Sequence, residues 1–363
     1  MLDIVQKFKK NTQILVKLSP VFSFIVPFLV LYFLYPNSFE ATWKGRTYYL
    51  FFLWLVSLEM ILNWEKLQTN KINKLGSIRT IAFVIALLLP TVYVVAANYY
   101  GLNSVIENLA KQNNVYWAIW MPLSTEYLVF TALFVLIILL SYGINGWKDF
   151  SISTFFLGTI GLIYIIDSFY PYGRFAPFQI FVPTTAKLAA NVLNFIGYQT
   201  SMFVTRNPYY GYMPYLTAWD PKNPLKIANF GIAWPCSGVE SLLIYTVTIL
   251  LFLKKTPIPW KQKAIYFIIG AIVTYFINVL RIVTIFVISI NGGDVWAFHN
   301  YYGQLYSITW IISYPLIIIG SRVLWGKIRE RRAKSNVSTD ISLSQHYFRI
   351  GYFSLAALQK YQS

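Results

Sequence analysis

The stretch GIAWPCSGVESLLIYTVTILLFLKK, Gly231–Lys255, joins a thiol to a long apolar run. Cys236 is the single cysteine of the chain, and it stands between Pro235 and the small residues Ser237 and Gly238. The apolar run that follows ends at two lysines, which is typical of a helix that crosses a membrane. The number of such helices decides the fold. The thiol lies at the start of one of them, and this position bears on function.

Composition predicts that the whole chain is a membrane protein. Of its 363 residues, 57% are hydrophobic and 12% are charged, whereas a soluble domain carries about 25% charged residues. Eight apolar segments recur, at or near the length that crosses a hydrocarbon core of roughly 30 Å. The sixth reaches that length only if it begins at Trp234. The segments are about Leu18–Tyr35, Tyr48–Trp64, Ile78–Asn98, Glu126–Ile144, Ser153–Tyr170, Val239–Phe252, Ala264–Ser289 and Leu305–Trp325. We therefore predict an all-α, polytopic membrane helical bundle with about eight transmembrane helices.

The basic residues are placed as topology signals. The formal net charge is +17, and lysine and arginine concentrate before the first segment, after the second, after the sixth and after the eighth. With eight spans these four stretches lie on one side, so the positive-inside rule makes both termini cytoplasmic. Topology accounts for the charge, and we expect membrane lipids rather than nucleic acid as partners. We predict an integral membrane catalytic domain over residues 1–335 and a cytoplasmic tail over residues 336–363.

The longest segment predicted outside the membrane covers about residues 171–233 and is rich in tyrosine, proline and asparagine. Tyrosine suits the headgroup layer, because its ring is apolar and its hydroxyl is polar. Two interpretations are open: an aromatic belt, or a small extracytoplasmic cap over a site at the membrane surface. Within this segment, Phe175–Ile196 is apolar but broken by Pro177, Pro183 and Lys187. It predicts an interfacial or re-entrant element rather than a span.

Three residues of chemical interest fall on one predicted face of the membrane. Cys236 lies at the outer start of span six, Arg281 in the outer half of span seven, and His299 in the outer loop before span eight. Each has an ordinary alternative, because a lone cysteine is commonly a small buried hydrophobe, an arginine can snorkel and a histidine can be a polar loop residue. Their combination is less expected by chance, since spans adjacent in sequence often pack side by side.

This set of side chains suits acyl transfer by covalent catalysis. A thiolate is the nucleophile, and the partial positive charge at the start of a helix would lower the pKa of the thiol. An imidazole can take the thiol proton and later protonate a leaving amine. A guanidinium can hold the oxyanion of a tetrahedral intermediate. One cysteine and one histidine make a poor metal-ligand set, so we expect neither a metal nor another cofactor.

Three neighbours of the thiol are candidates for contact with it or with a substrate. Ser237 and Gly238 are small and would let a substrate or a neighbouring backbone approach the sulfur. Glu240 follows Cys236 by four residues, so the two would share a helix face.

Two further polar residues are assigned to the surroundings of Arg281. Asn278 precedes Arg281 by three residues and would share its helix face. Asp167 lies near the outer end of span five, and an acid inside an apolar segment usually has a partner. We predict Arg281 as that partner.

These motifs resemble the exosortase/archaeosortase family of polytopic membrane proteins. The resemblance rests on PCSGVES (Pro235–Ser241), NVLR (Asn278–Arg281) and the histidine of FHNYYG (Phe298–Gly303). Their order is that of the family: cysteine before a span, arginine late in the next span, and histidine ahead of the last. Roughly Ala233–Trp325 carries the resemblance, while the first five segments agree in number and character.

The resemblance implies a membrane-embedded cysteine peptidase or transpeptidase. It makes Cys236 the nucleophile, Arg281 the group that stabilises the oxyanion or orients the substrate, and His299 the general acid and base. The implied substrates are exported proteins that end in a short motif, one hydrophobic helix and a basic cluster. Cleavage at the motif would occur on the extracytoplasmic side of the plasma membrane, through a thioester, with transfer to a lipid or other surface acceptor.

Two other classes of function stay open. A membrane transporter could line its pathway with Asp167, Glu240 and Arg281, although transporters often show internal repeats and none is evident. A membrane lipid or glycan transferase would commonly use carboxylates with a metal, but the acids predicted outside the membrane are scattered.

Overall fold

The computed structural model describes residues 2–40, 44–67, 78–170, 175–207, 211–299, 306–307 and 309–329. These residues form two compact units that divide after residue 308. The second unit contributes one described helix, Thr309–Arg329. The predicted domain boundary at residue 335 and the predicted tail lie outside the described residues.

Helices make up most of the described structure, and the described residues of all eight predicted apolar segments lie almost entirely on helices. The Tyr-rich outer segment adds two helices and a sheet. In chain order the helices are α1 (Leu2–Leu34), α2 (Thr47–Asn63), α3 (Ile78–Tyr99), α4 (Leu102–Gln112), α5 (Met121–Asp149), α6 (Ser151–Phe169), α7 (Ala176–Gln179), α8 (Phe181–Phe195), α9 (Val239–Lys255), α10 (Trp260–Ile290), α11 (Val295–Ala297) and α12 (Thr309–Arg329).

Six described helices are long and apolar enough to cross a membrane, namely α1, α3, α5, α6, α10 and α12. Helices α2 and α9 are apolar but have 17 residues each. A helix of that length measures about 26 Å, near the lower limit for a hydrocarbon core of roughly 30 Å. The chain is a mostly helical, multi-pass membrane protein, as predicted, while the number of eight spans stays a prediction.

Both ends of α2 contact α5. Arg46, just before α2, pairs with Glu126 near the start of α5, with 2.7 Å between Nε and Oε1. Asn63, the last residue of α2, donates to the carbonyl of Asp149 at 3.2 Å, where α5 ends. Lys254, at the end of α9, donates to the same carbonyl at 3.3 Å. These contacts place the two ends of α2 beside the beginning and the end of α5.

Aromatic rings fill the centre of the first unit. Phe24 of α1 lies edge-on against Phe52 of α2 and against Phe130 and Phe134 of α5, with ring centroids 5.4, 5.6 and 5.8 Å away. All four rings are fully buried. Edge-to-face packing aligns the positive ring edge with a negative ring face, which stabilises such clusters. The cluster joins three helices into one body and so fixes the relative positions of their ends.

The outer segment contains a β-sheet, so the all-α prediction is wrong there. Strands β1 (Gln199–Asn207), β2 (Gly211–Asp220) and β3 (Asn223–Gly231) form an antiparallel sheet in the order β1-β2-β3. Along β2 the buried residues are Pro214, Leu216 and Ala218. This period of two turns one face of the sheet toward α8 and α10, which pack against it. The apolar stretch ahead of the sheet forms α7 and α8, and its interfacial position stays a prediction.

Helix α9 separates the thiol from the lysine-rich end of the bundle. At the C-terminus of α9, the Nζ atom of Lys254 lies 3.4 Å from Glu59 of α2 and 2.9 Å from the carbonyl of Lys148 in α5. Cys236 precedes the opposite end of this helix, about 26 Å away along its axis. The thiol and the basic stretch after α9 therefore lie at opposite ends of the helix, as the predicted topology requires.

Candidate active site

A cavity of about 590 Å³ lies where β3 ends, beside the last turns of α10 and the segment that follows α10. Its lining is mostly apolar, and the polar side chains in it are Cys236, Ser289, Asp294 and His299. Ligand pockets commonly measure about 300–1,000 Å³ and combine apolar walls with a few polar groups. The structure thus brings two of the three predicted catalytic residues, Cys236 and His299, to one cavity.

Cys236 lies in a single 3₁₀ turn, Trp234–Ser237, between β3 and α9. Pro235 occupies the first turn, where its missing N–H costs nothing, and the N–H of Cys236 donates to the carbonyl of Ala233 at 3.0 Å. The Ser237 hydroxyl donates to the carbonyl of Trp234 at 2.6 Å. The turn is thus held by its own side chains, and the thiol is half-buried.

The thiol is not on the helix itself, because Gly238 interrupts the chain before α9 begins. Gly238 has φ +94° and ψ +7°, a left-handed conformation that glycine adopts without strain. The predicted helix face shared by Cys236 and Glu240 therefore does not form, since four-residue spacing aligns side chains only within a continuous helix. The side chain of Glu240 lies outside the described part of the structure.

Asn278 connects this turn to helix α10 through a side-chain hydrogen bond. Its Nδ2 donates to the carbonyl of Cys236 at 2.9 Å, and its side chain is buried. A Cβ on Gly238 would lie 3.0 Å from the amide carbon and nitrogen of Asn278. Glycine at 238 is therefore required both by the backbone conformation and by the close approach of α10. The predicted place of Asn278 beside the site agrees with this contact.

Arg281 lies next to the cavity but is not part of its lining. Its Nη2 donates to the backbone carbonyl of His299 at 3.2 Å. Its Nε is buried and has no hydrogen-bond partner among the described residues. A buried guanidinium N–H without an acceptor carries a desolvation cost.

His299 is positioned by a short helical segment. The carboxylate of Asp294 accepts a hydrogen bond of 2.9 Å from the N–H of Ala297 and caps α11. The ring of Trp296 contacts the His299 ring edge-on, with 6.2 Å between centroids. Together with the Arg281 hydrogen bond to its carbonyl, these contacts hold His299 from both its backbone and its ring.

Burial and the charge of Arg281 set the protonation states in the cavity. Burial raises the pKa of the Cys236 thiol, and the positive charge of Arg281 opposes this rise only in part. Burial also lowers the pKa of His299 below its usual 6.5, and Arg281 lowers it further. Both directions favour the uncharged forms, a protonated thiol and a neutral imidazole, so burial acts against the predicted lowering of the thiol pKa.

The predicted partnership of Asp167 with Arg281 is also wrong. Asp167 lies at the end of α6 and pairs with Lys44, with 2.7 Å between Oδ2 and Nζ. Both side chains are almost completely buried, and the Nζ atom lies 3.5 Å from the centre of the Trp117 ring. Asp167 therefore belongs to the packing of the first helices and not to the cavity.

Sequence reasoning missed several residues that line the cavity. Helix α10 contributes Ile282, Ile285, Phe286 and Ser289, which follow the spacing of one helix face. The sequence signal for these lining residues is this helical spacing: an apolar stripe follows Arg281 and ends in a serine. The remaining lining comes from β3 and from the segment after α10, where sequence alone does not give the geometry. No group of three or more His, Cys, Asp or Glu side chains that could hold a metal ion occurs among the described residues.

Comparison with protein families agrees with this arrangement. The family model of the transmembrane exosortases matches residues 21–314, which include the cavity and all three predicted catalytic residues. The chain belongs to the transmembrane exosortase family. No curated protein and no solved structure matches the chain. Membership of the exosortase family supports a transpeptidase-type role for this membrane protein in general.

Proposed function

We propose that this exosortase is a cysteine peptidase or transpeptidase, and that it acts on the C-terminal sorting signal of exported proteins. The observation that carries the proposal is the shared cavity of Cys236 and His299 in a member of the exosortase family. The cavity holds one thiol and one imidazole, the pair that covalent acyl transfer needs. The nearby guanidinium of Arg281 adds a positive charge where an oxyanion would form.

Acyl transfer at this site begins with the protonated thiol. His299 takes the proton of Cys236 as the sulfur bonds to the scissile carbonyl carbon, and the carbonyl oxygen becomes an oxyanion. Collapse of this intermediate breaks the C–N bond, and His299 returns the proton to the leaving nitrogen. The product is a thioester on Cys236, while the substrate's membrane helix departs with a new amine.

The second half of the reaction releases the acyl group. An amine or hydroxyl of a lipid or other surface acceptor gives its proton to His299 and attacks the thioester carbon. The C–S bond breaks, the sulfur takes the proton back, and the enzyme is restored. Water in place of the acceptor gives hydrolysis.

Arg281 serves this chemistry as a fixed positive charge. Its buried Nε is a donor without a hydrogen-bond acceptor in the described part of the chain. The tetrahedral oxyanion needs such a donor more than the neutral carbonyl does, so the interaction strengthens in the transition state. The hydrogen bond from Nη2 to the His299 carbonyl ties the charge and the base together.

The location of the site fits a substrate anchored in the membrane. The thiol lies at the end of α9 opposite Lys254, and the positive-inside rule makes that end extracytoplasmic. A substrate helix in the plasma membrane would present the residues before it at this surface. Docking of the helix between spans would supply binding energy that positions the scissile bond.

The test uses an exported protein from the same source that ends in a short motif, one apolar helix and a basic cluster. Co-expression with the wild-type enzyme should shorten it, whereas Cys236→Ala should abolish shortening at unchanged enzyme abundance. Ser241→Ala is the matched control, because Ser241 is a buried small polar residue of α9 bonded to Ser307 at 3.0 Å, outside the cavity lining. Continued shortening with Cys236→Ala would refute the proposal. A hydroxylamine-sensitive adduct in His299→Ala would identify the thioester.

A further inference from the structure

One edge of the outer sheet leads directly to the thiol. In the strand order β1-β2-β3, β3 has a described neighbour on one side only. The strand ends at Gly231, and Cys236 follows five residues later. Phe230, Gly231 and Ile232 line the same cavity as Cys236. No residue of β1, the other edge strand, is part of that lining.

The register of the sheet shows which backbone groups of β3 face outward. Ile232 N–H donates to the carbonyl of Pro214 at 2.9 Å, so residue 232 faces β2. In an antiparallel ladder, residues alternate between facing the partner strand and facing away. The N–H and C=O groups of Ile227, Asn229 and Gly231 therefore point to the free edge.

This edge is open to pairing. The side chain of Ile227 is 55% exposed, Asn229 is exposed, and no described strand pairs with either on that side. An exposed edge strand offers a row of unpaired donors and acceptors to any extended chain. Main-chain pairing of this kind gives affinity that depends little on sequence, and pockets for side chains add specificity. Here the pocket is the apolar cavity beside the thiol.

We propose that the extended segment of an exported substrate, just before its hydrophobic helix, pairs with the outer edge of β3 as a fourth strand and so delivers its scissile carbonyl to Cys236. This inference rests on the proposed function. The added strand runs parallel to β3, because β3 runs toward α9 and the substrate chain must likewise run toward its own membrane helix. Pairing with β3 sets the register of the substrate strand, and the cavity receives the substrate residues at the cleavage point.

Proline substitution tests the backbone pairing. Asn229→Pro and Ile227→Pro each remove one outward N–H, and proline is tolerated at such edge positions. One lost hydrogen bond should lower the rate of processing by about three- to tenfold. Val204→Pro is the matched control, since Val204 lies in β1 opposite Pro214, faces away from β2 and is 62% exposed. Processing equal to wild type in both β3 variants, or an equal loss in Val204→Pro, would overturn the inference.

Disulfide mapping tests the direction and register. Cys236 is the only cysteine, so Cys236→Ala gives a thiol-free enzyme into which Ile227→Cys or Asn229→Cys introduces one thiol. Single cysteines are then scanned along the extended segment of the co-expressed substrate, with Val204→Cys as control. Parallel pairing predicts that the substrate position linked to residue 227 lies two residues before the position linked to residue 229. A shift in the reverse direction, no preferred position, or equal linkage to residue 204 contradicts it.

The two tests separate this inference from the function on which it depends. If Cys236→Ala still processes the substrate, the proposed function fails whatever the disulfide pattern is. If Cys236→Ala abolishes processing but the proline variants process at the wild-type rate and no register appears, the function stands and strand pairing fails.

Discussion

Two buried ion pairs and the half-buried Arg281 hold their charges in opposite ways. Lys44 pairs with Asp167, and Arg46 forms a two-fold contact with Glu126 through bonds of 2.7 and 2.8 Å. Among the described residues, Arg281 has no carboxylate within salt-bridge distance, and its one hydrogen bond there goes to the backbone carbonyl of His299. The ion pairs neutralise their charges within the fold, whereas Arg281 lies next to the cavity.

The difference separates structural charges from functional ones. Removing one partner of a buried ion pair leaves an uncompensated charge and costs about 3–5 kcal/mol. An unpaired guanidinium already carries a desolvation cost in the resting protein, which is recovered only when an anion forms beside it. We therefore expect substitutions in the ion pairs to affect stability and those of Arg281 to affect rate.

The largest effect expected from this comparison is on catalysis. Arg281→Ala should lower the processing rate on the order of 10²–10³-fold, the usual cost of losing an oxyanion donor. Its thermal unfolding in detergent should stay close to wild type, because the substitution breaks none of the ion pairs formed by the described side chains. Rates come from the time course of substrate shortening in membranes, and stability from melting of the purified enzyme.

Arg46, which forms a buried ion pair, provides the variant to compare with Arg281→Ala. Arg46→Ala leaves the buried Glu126 without its partner and should destabilise the fold by about 3–5 kcal/mol. The processing rate per folded molecule should change little. If Arg46→Ala were the slow enzyme and Arg281→Ala the unstable one, the division between structural and functional charges would be wrong.

The next effect is the pH dependence of the rate. The His299 base is active when neutral, and its pKa is depressed by burial and by Arg281. The rate should therefore hold through neutral pH and fall about tenfold per unit only below the usual histidine value of about 6.5. Arg281→Gln removes one cause of the depression and should move this acid limb to higher pH. An acid limb that stays in place in Arg281→Gln would contradict the electrostatic coupling.

The raised thiol pKa predicts a second feature of the same profile. Without an imidazole base, reaction depends on the thiolate fraction, which burial of Cys236 keeps small at neutral pH. His299→Ala should therefore lose most activity near pH 7 and regain part of it as the pH approaches 9. A flat profile in His299→Ala would show that another group takes the proton.

A smaller effect is expected at the contact that positions the thiol. Asn278→Ala removes the hydrogen bond to the Cys236 carbonyl and should lower the rate about tenfold without changing substrate binding. Gly238→Ala should do the same, because its Cβ would displace Asn278. Gly197→Ala is the control, since Gly197 has φ +98° and open space around its Cβ position. Equal losses of processing rate in Gly238→Ala and Gly197→Ala would show that backbone strain alone causes the effect.

The convergence of Cys236 and His299 could be predicted from sequence because topology needs only hydrophobic length and charge. Alternation of spans puts both residues on one face whatever the details of packing are. The partner of Asp167 could not be found in this way, since it is Lys44, in the connection before α2. Sequence shows which acids lie in apolar segments, but lateral packing of helices decides which cation reaches them.

The sheet was missed for a different reason. Its strands are rich in tyrosine, threonine and asparagine, a composition equally typical of the membrane interface. The distinguishing signal was the period of two in β2, where Pro214, Leu216 and Ala218 are buried in alternation. The direction of the thiol pKa was missed because it is raised by burial of Cys236, and burial depends on packing that sequence spacing does not reveal.

The smallest effect is expected at Ser237, although it is the nearest neighbour of the thiol in sequence. Its hydroxyl donates to the carbonyl of Trp234, so it serves the turn and not the substrate. Ser237→Ala should cost about 0.5–1.5 kcal/mol of stability and change the processing rate by about twofold or less. A rate loss comparable to that of Asn278→Ala would mean that Ser237 leaves Trp234 and acts on the substrate. Proximity to a nucleophile in sequence would then matter more than the hydrogen bond in the resting turn.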